Sequence, residues 1–192
     1  MQAVVVELYT ESTPNPETLK FVTNQAILPN FQIDFRNPES AAESPLAKHM
    51  FESPDIQAVF IAQNFVTLTK KPDLDWFEIT PGLKDRLRSF FHLGLPAVNE
   101  VLLPKDLSSS PATEASTPEQ KIMDLLEKYV KPAVEGDGGH IAFRKFEEGV
   151  VHLSMQGSCS GCPSSQITLK SGIEGLLKRM VPEVKEVVAV EE

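Results

Sequence analysis

The 192-residue sequence predicts an α+β protein: two small α+β domains joined by a flexible Ser/Thr/Pro-rich linker. Three observations carry that expectation. Residues Leu103 to Pro118 read Leu-Pro-Lys-Asp-Leu-Ser-Ser-Ser-Pro-Ala-Thr-Glu-Ala-Ser-Thr-Pro, a stretch with almost nothing to bury. On both sides of it, short alternating or β-branched runs are mixed with segments of helical periodicity. Hydrophobic residues make up 41% of the chain and charged residues 23%, so there is enough apolar material for a core on each side. The expected division is a front domain over 1–100, a linker over 101–117 and a back domain over 118–192.

In the front domain, strands are expected at Val4 to Tyr9, Thr18 to Val22, Phe31 to Phe35, Ala58 to Ala62 and Phe65 to Thr69. Turn signals such as Pro14-Asn15-Pro16 and Gln63-Asn64 separate them. Pro45 to Phe51 reads as a short helix. Thr80 followed by Pro81 suggests the start of a longer one, with Leu83, Leu87, Phe90 and Phe91 on one side and Gly94 as its stop. Nine of the 11 Phe residues and the single Trp lie in this domain, and we read them as core rather than as a docking face.

The back domain opens on Thr117-Pro118-Glu119-Gln120, which combines an N-cap, a first-position proline and a capping-box glutamine. Ile122, Leu125, Leu126 and Tyr129 continue at helical spacing, and Pro132 is expected to limit the helix. Glu119, Asp124, Glu127 and Lys128 form its solvated face. Gly136-Asp137-Gly138-Gly139 reads as a tight turn, and His140 to Phe146 with Val150 to Met155 as a hairpin around Glu147-Glu148-Gly149. A cysteine loop follows. Ile167, Leu169, Ile173, Leu176, Leu177 and Met180 then outline a second helix that stops at Pro182, before a strand over Val184 to Val190.

Composition excludes several classes of function. A net charge of −9 without a dense Lys/Arg stretch argues against a nucleic-acid partner, whose phosphates need clustered cations. No apolar run approaches the length that spans a bilayer. Met1-Gln2-Ala3-Val4-Val5-Val6-Glu7 lacks the basic, Ser-rich character of a transit peptide or a secretory signal, so the expected location is cytoplasmic.

Chemistry concentrates in Gly157-Ser158-Cys159-Ser160-Gly161-Cys162-Pro163, which holds both of the chain's cysteines. Two closely spaced thiols point to metal or redox chemistry rather than to a disulfide framework. Pro163 suits the first turn of a helix, so Cys162 is expected near the N-cap and both sulfurs near free amides, where thiolates are favoured. Gly157, Ser158, Ser160 and Gly161 leave room for a bulky cluster and supply amide donors to its sulfurs. A cubane iron-sulfur cluster takes four thiolates and a structural zinc four ligands, so one chain offers half a coordination sphere and a second copy can complete it.

Spacing alone leaves alternatives open. A zinc site could recruit His140 and His152, although their spacing is irregular. A thiol-disulfide redox pair is another reading, but no βαβ unit precedes the motif. Gly157-Ser158-Cys159-Ser160-Gly161 superficially matches a nucleophile elbow, yet no histidine follows His152 to serve as its base. An incidental pair is the blandest reading.

Asp137-Gly138-Gly139, the cysteine loop with Ser164-Ser165, Thr168-Leu169-Lys170 and Pro182-Glu183-Val184 together resemble the signature of the NifU-like C-terminal domain. Thr13-Pro14-Asn15-Pro16-Glu17-Thr18-Leu19-Lys20-Phe21, Ser44-Pro45-Leu46-Ala47 and Phe65-Val66-Thr67-Leu68-Thr69-Lys70 before Trp76 resemble the N-terminal domain of Nfu-type proteins. The resemblance implies a non-catalytic iron-sulfur scaffold or carrier. In such a protein Cys159 and Cys162 from each of two chains hold one 4Fe-4S cluster in a homodimer, with a transient 2Fe-2S form possible. Upstream assembly proteins would supply the cluster and apo iron-sulfur proteins would receive it. The chain departs from the family pattern at His140, where an acidic residue more often follows Asp-Gly-Gly, and in lacking the transit peptide of organellar members.

Overall fold

The computed structural model describes residues 6–29, 31–103, 117–160 and 163–190, and over 163–166 the backbone alone. The chain divides into two compact units, Met1–Leu107 and Ser108–Glu192. Residues 104–116, most of the expected linker, lie outside the described residues, as do Val4 and Val5.

The front unit contains β1 (Leu8–Ser12), β2 (Thr18–Thr23), β3 (Ile33–Phe35), α1 (Pro45–Phe51), β4 (Ile56–Ile61), β5 (Phe65–Lys70) and α2 (Trp76–Leu93). Its strands form one sheet in the order β1-β2-β5-β4-β3, antiparallel at every pairing. β1 runs to Ser12, beyond the expected stop at Tyr9, because a hairpin pairs outward from its turn and Ser12 lies opposite Leu19. The turn is built on Asn15, which is buried; its Oδ1 accepts from the Glu17 amide at 3.0 Å and its carbonyl from the Thr18 amide at 3.0 Å. Trp76 Nε1 donates to the Pro16 carbonyl at 3.0 Å, tying α2 to the same turn.

α2 starts at Trp76, not at the expected Thr80–Pro81 boundary. Asp75 is its N-cap, with a carboxylate that accepts from the Phe77 amide at 2.8 Å. Pro81 falls in the second turn and forgoes one ladder bond, which the cap and the buried stripe Leu83, Leu87 and Phe90 outweigh. Gly94 ends the helix at φ 65°, as the sequence suggests. Most of the unit's Phe side chains, led by Phe21, Phe35, Phe60 and Phe90, are buried as expected, whereas Phe77 is 88% exposed.

The back unit contains α3 (Pro118–Leu125), a π-helical turn over Leu126–Val130, α4 (Lys131–Gly136), β6 (Gly139–Glu147), β7 (Val150–Gly157), α5 (Pro163–Met180) and β8 (Glu186–Val190). Thr117 and Gln120 form the expected capping box. Pro132 does not end the helix. The chain winds wide before it, with the Lys131 amide reaching back to the Leu126 carbonyl, and α4 continues on the far side. The wide turn offsets the drift of residues spaced four apart, so Ile122, Leu126, Val130 and Val134 line the core and Tyr129 faces out. Among the described side chains of α5, Ile173 and Leu177 are buried, while Ile167 and Met180 are exposed.

The sheet order is β6-β7-β8, with β6 and β7 antiparallel and β7 and β8 parallel. β7, α5 and β8 therefore make a βαβ unit whose first connection is the cysteine loop. Glu148 and Gly149, at φ 53° and 89°, close the β6–β7 hairpin in the manner of a type I′ turn. The Gly149 carbonyl accepts from the Lys185 amide at 2.7 Å, fixing the entry to β8.

Ser44, fully buried, caps α1 by accepting from the Ala47 amide at 3.1 Å and donates to the Ala97 carbonyl at 2.8 Å. Ser44→Ala removes both bonds and is expected to destabilise the front unit by about 2 kcal/mol. Urea unfolding followed by the fluorescence of Trp76, the chain's only Trp, reads this as a lower midpoint with an unchanged slope. At Gly149 an added Cβ would lie 2.9 Å from the Glu183 carbonyl oxygen in a left-handed conformation. Gly149→Ala is expected to cost the back unit more than about 1 kcal/mol, read as faster amide exchange along β6 and β7.

His140 is 6% exposed on β6. Burial, then the charge of Lys131, lowers its pKa from 6.5 to about 4, against an opposing pull from Glu127 and with a smaller push from Arg144. The unfolded chain takes up this proton well before the folded one. Back-unit stability is therefore expected to hold above about pH 6.5 and to fall between there and pH 4, by at most about 1.4 kcal/mol per pH unit. His140→Gln should flatten that slope in amide-exchange measurements of β7.

Candidate metal centre

β7 ends at Gly157, which adopts φ 64° and turns the chain into Ser158-Cys159-Ser160. The Gly157 carbonyl accepts from both the amide and the hydroxyl of Ser160, at 3.1 and 2.9 Å. Two further bonds bind the loop to the Asp137-Gly138-Gly139 turn. The Ser158 amide donates to the Gly138 carbonyl at 3.3 Å, and the Ser158 hydroxyl donates to the Asp137 carbonyl at 2.6 Å. α5 then begins at Pro163.

Asp137-Gly138-Gly139 is the turn that the sequence predicts, with Gly138 at φ 78°. Gly139 has a second role that sequence reasoning missed. It opens β6 opposite Gly157, and a Cβ placed on it would lie 2.5 Å from Cys159 Sγ, 2.9 Å from the Gln156 carbonyl oxygen and 3.1 Å from the Cys159 amide nitrogen. The space a side chain would need is filled by the sulfur. The signal was present in the doubling: a turn with one left-handed residue needs one glycine, and there are two.

Cys159 is 6% exposed and packs into the back unit's core with Met155 and Ile173 among its members. Burial pushes its thiol up to about 11, partly offset by a weak hydrogen bond with Ser158 and reinforced by the Asp137 charge. The expected helix-stabilised thiolate is therefore corrected for this residue. Its sulfur turns into the core, so in the metal-free chain it is a neutral thiol at neutral pH. Cys162 lies outside the described residues, together with Gly161.

His140 and His152 belong to β6 and β7. Among the described residues no three His, Cys, Asp or Glu side chains converge as a metal site would require. The donors at the loop are soft sulfur and backbone amides, with glycine wherever a backbone or sulfur must come close. That set suits a thiophilic metal or cluster better than a hard, oxygen-seeking cation.

Known proteins place the sequence firmly. The NifU-like domain matches residues 122–188, and the domain described as "Scaffold protein Nfu/NifU N terminal" matches residues 8–94. The human protein named "NFU1 iron-sulfur cluster scaffold homolog, mitochondrial" is 38% identical over 184 residues, covering 93% of this chain and 69% of that protein. "NifU-like protein 4, mitochondrial" of Arabidopsis thaliana is 40% identical over 182 residues, covering 93% of this chain and 64% of its own length. A solution structure of a NifU-like protein from Saccharomyces cerevisiae aligns with 50% of this chain and 87% of its own at a TM-score of 0.45 and 24% identity. With the Nfu-type domain in front, the NifU-like domain behind, and relatives matched along nearly its full length, the chain belongs to the Nfu/NifU scaffold protein family.

Proposed function

We propose that this protein carries iron-sulfur clusters as cargo. Two copies bind one 4Fe-4S cluster through Cys159 and Cys162 of each, and pass it to apo iron-sulfur proteins. The observation that carries the reading is the cysteine inventory: the chain has two cysteines in all, both in one strand-to-helix connection, and a cubane needs four thiolates. Family membership supports it, since the similar human protein is named an iron-sulfur cluster scaffold.

On this reading the chain performs no covalent chemistry of its own. Each thiol loses its proton as it takes an iron, and loop amides donate to the anionic sulfurs. A 2Fe-2S form is a transient stage of loading from upstream assembly proteins. The cytoplasm is the compartment we propose, its reducing character suiting a paired thiol site. The front unit, which supplies no cysteine, serves to choose or position partners.

Anaerobic reconstitution with iron and sulfide is expected to yield a brown dimer with about four irons per two chains, and Cys159→Ser or Cys162→Ser to abolish it. Absorbance, iron analysis and sedimentation check the three quantities. A colourless zinc-bound monomer, or turnover of a disulfide substrate by the iron-free chain, would instead establish one of the rival uses of the same thiols.

A further inference from the structure

Cys159 presents a difficulty for any cargo: the residue is 6% exposed in the metal-free chain and packs into the core. Among the described residues, three contacts hold it there. Gly139 leaves the pocket that Sγ occupies, since a Cβ would come within 2.5 Å of it. The Ser158 amide donates to the Gly138 carbonyl at 3.3 Å. The Ser158 hydroxyl donates to the Asp137 carbonyl at 2.6 Å, which commits its proton and leaves a lone pair facing the thiol at 4.0 Å. All three partners come from one turn, Asp137-Gly138-Gly139, twenty residues before the loop in sequence and adjacent to it through the β6–β7 pairing.

We propose that the Asp137–Gly139 turn is a latch that sequesters Cys159 in the metal-free chain, so that loading a cluster requires the Ser158–Cys159 segment to leave the turn and turn the sulfur outward. Gly139 and Ser158 are thus positioning residues for cargo binding. The inference rests on the scaffold reading only for what the latch serves; the sequestration itself belongs to the chain without metal. A thiol docked this way is shielded from oxidants and from stray metal ions, as buried cysteines in general are. Opening costs the Ser158 bonds and the exposure of Cys159, a local event far smaller than unfolding the unit.

The test uses the full metal-free chain carrying Cys162→Ser, so that Cys159 is the only thiol, and follows alkylation by iodoacetamide with mass spectrometry. Native Cys159 is expected to react at least about tenfold more slowly than the same residue in denaturant. Adding Ser158→Ala should speed the native reaction about fivefold, the worth of roughly 1 kcal/mol of hydrogen bonding. Gly139→Ala, which fills the sulfur's pocket, should speed it further. Native Cys159 reacting as fast as in denaturant overturns the sequestration, and a slow rate unmoved by Ser158→Ala overturns the latch. In a background with both cysteines, Ser158→Ala should raise the initial rate of cluster uptake during reconstitution by a similar factor; an unchanged rate removes the gating role. The alkylation rates involve no iron. A chain that shows them as expected yet binds no cluster overturns the scaffold reading and leaves the latch standing.

Discussion

The back unit is organised around the contact between Cys159 Sγ and the missing side chain of Gly139, and that contact depends on strand register. The Glu148-Gly149 turn sets Glu147 opposite Val150, and continuing that register unbroken would place Gly139 opposite Ser158. A bulge between Phe143 and Lys145 removes one step, so that Gly139 meets Gly157 and the loop begins one residue earlier. Arg144, the extra residue, anchors the bulge by donating from Nε to the Ser154 hydroxyl at 3.0 Å. A slip of one residue would also exchange the two faces of each strand. The hairpin turn, the bulge and the glycine pair are therefore one device, and its product is a pocket of fixed shape at the end of β7.

Much of this was legible in the sequence, and the misses share a cause. Elements that rest on local chemistry were read correctly: α1 over Pro45 to Phe51, the capping box at Thr117, the Glu-Gly hairpin turn and the glycine stop of α2. Misreadings arose where tertiary packing overrode a local signal. Pro81 and Pro132 both read as helix boundaries, yet one lies inside α2 and the other follows a π turn that carries the helix past it. Tyr129 fits an α-helical stripe until that turn rotates it outward.

The candidate site shows the same division. Its two candidate ligands stand out in the sequence, because two cysteines separated by two residues before a proline form a pattern on their own, while spacing leaves metal and redox uses open. The direction in which Cys159 points was not legible, since it depends on Gly139 twenty residues away. Burial raises the proton affinity of Cys159 because the residue packs into the apolar core of the back unit. Sequence shows the donor and topology decides its state.

That state bears on how one segment can both keep and surrender a cargo. A thiolate left in the core without metal would be an uncompensated buried charge, so the metal-free chain holds the neutral thiol there at little cost. A thiolate bound to iron carries its neutralising partner with it, and the space Gly139 leaves is already filled by Sγ, with an added Cβ only 2.5 Å from it. On the carrier role proposed above, the same residue has two environments, one inside and protonated, one outside and metallated. Between them lie a short hydrogen bond, a longer one and a few rotations of a loop made of glycine and serine. Tightening the inner environment would slow loading and speed release; loosening it would do the reverse. On the proposed role, the balance of carrier against sink is thus set in the Asp137–Gly139 turn as much as at the sulfurs.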